Sequence, residues 1–303
     1  MIEWVKLRIL GKGSSGTVSL VAIVAPQEWK CKLVAMKSSM PHSIVSLVRE
    51  KRIMGLFIGC KEIVQCYFDQ LIMEQGNLSY NLFLDYAPYG SLGDSIRKKQ
   101  LLDNQVRIYT GMILKGLSCI HQKGVVHCDL KPDNILLFPS TGHAWSQLKI
   151  SDFGLSKTKE ETINHSYFWN NVKFRGTPLY MSPESLFGQI EAPLDIWSLG
   201  CIVIEMITGR VWKDRFQTLD DLVFKLAFLQ EAPEIPTNLS WDCKHFLSKC
   251  FMKDPAQRWT AEMLLNHPFV SSISEKQEGY QKFPGSGLSF FSYDVFDYLP
   301  LKV

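Results

Sequence analysis

Asp129 and Asn134 stand five residues apart in His127-Cys128-Asp129-Leu130-Lys131-Pro132-Asp133-Asn134. Pro132 interrupts any helix there, so both belong to a shaped loop. The apolar run Ile135-Leu136-Leu137 follows, and Asp152-Phe153-Gly154 comes after the strand-like Leu148-Lys149-Ile150. A carboxylate such as Asp129 can orient a hydroxyl and take its proton. The oxygens of Asn134 and Asp152 suit Mg2+, which prefers few protein oxygens beside phosphates and water. Lys131 can neutralise a phosphoryl group in transit. Each of these residues alone would pass for a turn residue. Their order points to phosphoryl transfer onto a hydroxyl.

Gly11-Lys12-Gly13-Ser14-Ser15-Gly16-Thr17-Val18 is a G-x-G-x-x-G-x-V stretch. Such glycines also suit a dinucleotide-binding turn, which requires a helix after the third glycine. Here Thr17 to Val24 is β-branched and reads as a strand, so the glycines tip a hairpin. Their missing side chains let backbone N–H groups approach phosphates. In Val34-Ala35-Met36-Lys37, strand period two puts Ala35 and Lys37 on one face. Ala35 leaves room for a flat base, and Lys37 can reach phosphates beyond it. Glu50, thirteen residues on, is a candidate partner for Lys37. A surface Lys–Glu pair would contribute little, but one fixing the lysine beside a triphosphate would be functional.

The elements that must hold these residues follow from periodicity. Val5, Leu7 and Ile9 alternate with Lys6 and Arg8; Thr17–Val24 and Leu33–Lys37 continue the strands. Ile44, Leu47, Val48 and Lys51 predict a helix from about Ser43 to Phe57, and Ile63–Phe68 and Tyr80–Tyr86 read as further strands. Beyond Pro88 the character turns helical. Val106, Tyr109, Ile113, Leu117 and Ile120 predict a helix that Gly124 stops. Pro193 opens another with a stripe of Ile196, Leu199, Val203 and Ile207, which Gly209 ends. Helices are also expected near Leu219–Leu229, Trp241–Phe251 and Thr260–Leu265.

The chain has 303 residues, 46% of them hydrophobic and 21% charged, which supports a sizeable core and excludes a disordered chain. A net charge of +3, from 33 basic and 30 acidic side chains, argues against nucleic acid or a membrane surface as the main partner. The start Met1-Ile2-Glu3-Trp4-Val5-Lys6 does not read as a signal peptide. The run Leu199 to Ile207 contains Glu205 and is too short to span a bilayer. Eight cysteines without a C-x-x-C pair or zinc spacing suggest reduced thiols, hence the cytoplasm or nucleus.

With these motifs in this order, about residues 4–270 resemble the eukaryotic protein kinase family. Gly176-Thr177-Pro178-Leu179-Tyr180-Met181-Ser182-Pro183-Glu184 resembles the end of that family's activation segment, with Ser182 where alanine is usual. Asp195-Ile196-Trp197-Ser198-Leu199-Gly200 and Asp254-Pro255 to Arg258 match its C-terminal lobe. The resemblance implies an α+β bilobal fold: a β-rich lobe over 1–86 with one main helix, a mainly helical lobe over 87–270, and a tail over 271–303. It implies ATP between the lobes under the glycine loop. Leu10, Gly11, Gly13, Gly16, Lys37, Asn134 and Asp152 would then bind the nucleotide or its Mg2+, and Val18, Ala35 and Leu136 would sandwich the adenine. The backbones of Asp85 and Ala87 would hold the adenine edge, with Leu84 as gatekeeper. Asp129, Lys131, Lys37 and Glu50 would be the catalytic set, and Thr177 would contact Asp129 and Lys131. A Glu184–Arg258 salt bridge and Asp195 would brace the structure. Asp94 would meet ribose or substrate, or simply be solvated.

Lys131 and Gly176-Thr177-Pro178 look like serine/threonine rather than tyrosine kinases. Val126 to Lys131, the Lys37–Glu50 spacing and Leu179 to Glu184 look like plant-type mitogen-activated protein kinase kinase kinases. That implies a mitogen-activated protein kinase kinase as substrate. Cys128 replaces the arginine that in many kinases binds an activation-segment phosphate, so activity is expected to depend little on such a phosphate. Thr158, Thr162 and Ser166 are the candidate phosphosites. A pseudokinase scaffold is the rival reading, but Lys37, Glu50, Asp129, Asn134 and Asp152 are all present. A small-molecule kinase fits less well, because Gly176–Glu184 resembles a peptide-docking platform. The motifs run from Gly11 to about Phe269, so control is expected within the kinase unit, through the tail, or through a partner.

Overall fold

A computed structural model describes residues 3–13, 16–24, 31–39, 43–74, 76–140, 145–161, 167–169, 172–212, 216 and 218–271. Contacts divide the chain into two compact units, Met1–Lys51 with Gln65–Tyr86, and Arg52–Val64 with Ala87–Ser274.

The first unit is a five-stranded antiparallel sheet in the order β1-β2-β3-β5-β4, built from β1 (Glu3–Gly13), β2 (Gly16–Val24), β3 (Cys31–Ser38), β4 (Cys66–Glu74) and β5 (Asn77–Leu84). Alternation gives the sheet two apolar faces. Val21, Val34, Met36 and Phe83 form one core with Trp4 and Phe68, and Phe68 stacks on Phe83 at 4.2 Å. On the other face Leu47 of helix α1 (Ile44–Met54) packs on Tyr80 and Leu82. The register sets Val18 opposite Lys37 and Leu84 opposite Ala35. A bulge between Ile9 and Gly11 leaves Leu10 as the extra residue of β1.

Gly16 is where this hairpin needs glycine. Its φ is +141°, and an added Cβ would stand 1.9 Å from the Ser38 carbonyl oxygen, whereas at Gly11 and Gly13 it would meet nothing within 4 Å. Gly16→Ala should therefore destabilise the protein by about 1–3 kcal/mol through forced backbone movement. Gly11→Ala and Gly13→Ala should unfold close to wild type. Equal melting temperatures for all three variants would contradict the argument.

The second unit is mainly helical. It contains α2 (Leu92–Lys98), α3 (Asp103–Gln122), α4 (Pro193–Thr208), α5 (Leu219–Phe224), α6 (Trp241–Cys250), α7 (Ala261–Leu265) and α8 (Pro268–Ser271). Val106, Tyr109, Ile113, Leu117 and Ile120 are buried along α3 at the predicted spacing. Around α4 almost every side chain is buried, and Gly209 closes it with φ +79°. Short antiparallel pairs join β6 (Val125–Val126) to β9 (Lys157–Thr158), β7 (Ile135–Phe138) to β8 (Gln147–Ile150), and β10 (Tyr167–Trp169) to β11 (Val172–Phe174). No helix among the described residues is long and apolar enough to cross a membrane.

Three boundaries differ from the periodicity. The strand expected at Ile63–Phe68 starts at Cys66 and runs to Glu74, because Ile63 and Val64 bond instead to Ile150. That pairing, with Phe57 stacked on Phe153, ties Arg52–Val64 to the second unit rather than the first. The strand at Tyr80–Tyr86 starts earlier, at Asn77, and ends at Leu84. The helix expected over Leu219–Leu229 is α-helical only to Phe224 and continues as a π-turn over Lys225–Leu229.

Candidate active site

In the first unit, Lys37 and Glu50 meet. The lysine Nζ lies 2.7 and 2.8 Å from the two carboxylate oxygens, and both residues are buried. Strand β3 delivers Lys37 and the inner face of α1 delivers Glu50. A buried pair of this geometry fixes the ammonium in place, which a solvated pair does not. Ala35 shares the Lys37 face, and the exposed Leu10 sits at the bulge beside the glycine hairpin. The Asp85 amide donates to the Gln65 carbonyl at 3.0 Å. The Asp85 side chain accepts from Gln65 N and Tyr67 Oη.

In the second unit, the loop from His127 to Asn134 is held from several sides. The Asp195 carboxylate, fully buried on α4, accepts from His127 N at 2.9 Å and Cys128 N at 3.0 Å, and His121 Nε2 lies 2.9 Å from it. Ser156 Oγ donates to the His127 carbonyl. These bonds hold Cys128 at φ +67°, a conformation that costs a non-glycine residue on the order of 1–3 kcal/mol. Gly176 packs against the same residue, for an added Cβ would stand 2.4 Å from the Cys128 carbonyl oxygen.

That strained turn presents Asp129. Its Oδ1 accepts from Thr177 Oγ1 at 2.7 Å, and its Oδ2 accepts from Lys131 Nζ at 2.9 Å and Asn134 Nδ2 at 3.1 Å. Lys131 Nζ also donates to Thr177 Oγ1 at 2.7 Å. Thr177, 48 residues from Asp129 in sequence, thus closes a ring with Asp129 and Lys131 at one carboxylate. The Asn134 amide nitrogen also donates to the Asp129 carbonyl, which leaves the Asn134 side-chain oxygen as its remaining polar atom. Ser151 binds the Asn134 carbonyl through both its N and Oγ. This bonds the backbone of Asn134 to the residue preceding Asp152. Asp152 itself is exposed, at φ +64°, and Phe153 beside it is buried between Phe57 and His127.

The chain from Gly11 to Phe269 thus carries a buried Lys–Glu pair, a braced Asp129 loop and an exposed Asp152. The sequence profile described as the protein kinase domain matches residues 4–270. The chain belongs to the protein kinase family. It is 40% identical over 276 residues to mitogen-activated protein kinase kinase kinase 20 of Arabidopsis thaliana, covering 89% of this chain and 79% of the relative. It is 35% identical to kinase kinase kinase 17 of the same plant, covering 89% and 70%. A yeast relative, the serine/threonine-protein kinase BCK1/SLK1/SSP31 of Saccharomyces cerevisiae, is 35% identical over 90% of this chain but 18% of its own length. The protein is an ATP-dependent serine/threonine protein kinase.

Within this kinase, the buried Arg258 forks onto the half-buried Glu184 at 2.6 and 3.2 Å, and also donates to the Pro193 and Met252 carbonyls. Asp94 acts locally. It caps α2 through Ser91 and pairs with Arg97, and the Ser91 amide first, then Arg97, hold its carboxyl below the usual range. Cys128 lies in an apolar cluster with Val126, Ile190 and Leu194, and burial pushes its thiol well up. Leu136 sits half-buried in β7. The Ala87 carbonyl accepts from Gly90 N. Thr158 pairs with Val125 through the backbone, while Thr162, Ser166 and the tail from 272 lie outside the described residues. Sequence reasoning overlooked His121, Ser156 and Phe57. Nothing in their local sequence marks them, since their partners stand 29 to 96 residues away.

Proposed function

We propose that this kinase acts as a mitogen-activated protein kinase kinase kinase, phosphorylating serine or threonine hydroxyls of mitogen-activated protein kinase kinases. The observation that carries the transfer chemistry is the ring of Asp129, Thr177 and Lys131. In this reading Asp129 orients the acceptor hydroxyl and takes its proton, and Lys131 stabilises charge developing on the transferred group. Lys37, positioned by Glu50, binds ATP phosphates, and Gly11, Gly13 and Gly16 leave the hairpin backbone open to them. Leu10, Val18, Ala35 and Leu136 take the faces of the adenine, the Asp85 carbonyl and Ala87 N–H its edge. Asn134 and Asp152 hold Mg2+. Their donors fit that ion, being one carboxylate and one amide oxygen whose nitrogen is otherwise engaged. Mg2+, when bound, supplies charge neutralisation on the phosphate oxygens.

A groove of about 730 Å³ in the second unit, lined by Thr177, Leu179, Tyr180, Val211, Trp212 and Phe216, suits an apolar segment of a protein substrate. The substrate assignment rests on the named relatives. Purified kinase should phosphorylate at least one member of a panel of catalytically dead mitogen-activated protein kinase kinases far faster than a generic basic protein. Labelling of the generic protein alone would sink it. The reading places the protein in the cytoplasm or nucleus, where thiols stay reduced.

Regulation should be unusual. Cys128 is buried and uncharged. The cations near it are engaged: Lys157 Nζ donates to the Ile190 carbonyl, and Arg175 lies against the Leu155 and Ser156 carbonyls. Phosphatase-treated enzyme is therefore expected to keep at least half of its activity. A fall to background after treatment would show that an activation-segment phosphate is required.

A further inference from the structure

The turn after α1 crosses α3 at a point the phosphoryl-transfer machinery does not use. A Cβ added at Gly116 would stand 3.2 Å from the Glu62 carbonyl oxygen and 3.3 Å from the Glu62 Cβ. Cys119 lies three residues on from Gly116, on the same helical face. From the turn, Cys60 Sγ approaches the Glu62 carboxylate at 3.8 Å, and the Cys60 thiol is hydrogen-bonded to that of Cys119. Neither is in a disulfide and both are half-buried, as is Cys66, so a small oxidant can reach them. Cys128, Cys201, Cys243 and Cys250 are buried. The turn is itself well pinned: Cys60 N donates to Phe57 O, Ile63 N to Cys60 O, and Val64 N to Ile150 O. Phe57 at its start stacks on Phe153 at 5.2 Å, next to Asp152.

We propose that Cys60 and Cys119 are a redox modification site: a peroxide-class oxidant converts them to a reversible disulfide that ties the turn to α3. In the first step one thiol attacks a peroxide oxygen, the O–O bond breaks, and a sulfenic acid and one water result. In the second, the other thiol displaces hydroxide from that sulfur, the S–S bond forms, and the hydroxide leaves with the thiol's proton as a second water. Two thiols thus give two electrons and two protons to one peroxide, and a dithiol reductant reverses the change. Burial first, then the bond to Cys119, pushes the Cys60 thiol up to about 12.

The test uses the full chain. Hydrogen peroxide treatment, thiol blocking with N-ethylmaleimide and unreduced tryptic mapping should yield a species joining Ile53–Lys61 to Gly116–Lys123. It should vanish on adding dithiothreitol and be absent from Cys119→Ser and Cys119→Ala. In wild type the linked pair should replace most of the two maleimide adducts. Recovery of both cysteines as adducts, sulfinic acid at Cys119, or a link from either to a different cysteine overturns the proposal. The wild-type map decides by itself if the variants fail to fold.

Discussion

Replacing Asp129 with asparagine is expected to slow phosphoryl transfer by about 10²–10⁴-fold, the range that a positioned general base contributes. The carboxylate accepts from three donors at once, Thr177, Lys131 and Asn134. Asparagine has one acceptor oxygen and a donor NH2. The oxygen can stay toward Lys131 and Asn134, which places the NH2 against Thr177, whose hydroxyl then turns to accept. The ring survives in altered form, so the unfolding midpoint should move little. What is lost is the atom that receives the proton. Single-turnover transfer from ATP to protein, with denaturant unfolding as control, separates the two effects. Equal transfer rates for wild type and Asp129→Asn would remove Asp129 from the chemistry. A collapse of stability would instead make it structural.

Asp195→Ala should be the most damaging change to the fold near the site. Removing that buried carboxylate strands His127 N, Cys128 N and the His121 ring at once. Each of the two orphaned buried amides costs about 1–3 kcal/mol, so the sum is about 2–6 kcal/mol. The same bonds hold Cys128 left-handed, so Asp129 should also lose its aim. Urea unfolding is expected to show the stability loss. Below the unfolding transition, kcat should fall with little change in KM for ATP. A variant as stable and active as wild type would show that the backbone keeps its conformation without this brace. Asp195→Asn should fall between the two, since its remaining oxygen can still accept from one or two of the donors.

How much of this was legible in the sequence differs from element to element. Long helices were, because α3 buries one stripe and its period carries over many turns. The strands β2 and β3 were, because their β-branched runs alternate around the glycines and Lys37. The start of β4 was not, because Ile63 and Val64 look like strand residues but pair with Ile150, far along the chain. Short elements such as α2, β9, β10 and β11 leave no mark: a turn or two of helix or a pair of residues carries no period. The π-turn at Lys225–Leu229 was hidden because a helix and a π-turn bury nearly the same face.

The residue types of the site and their order along the chain were set by the sequence alone. Asp129, Lys131, Asn134, Asp152, Lys37 and the glycines are chemical choices, and a choice of atoms survives in one dimension. The family followed from the same order. Tertiary structure decided which partner each group has. It closed the ring of Asp129, Lys131 and Thr177 across more than forty residues. It made Gly176 obligatory through the Cys128 carbonyl, turned Asp94 to capping, and brought Cys60 to Cys119. The physical reason is range. Propensity and periodicity act over a few residues, whereas hydrogen bonds and packing act over a few ångströms, wherever in the chain the partners began.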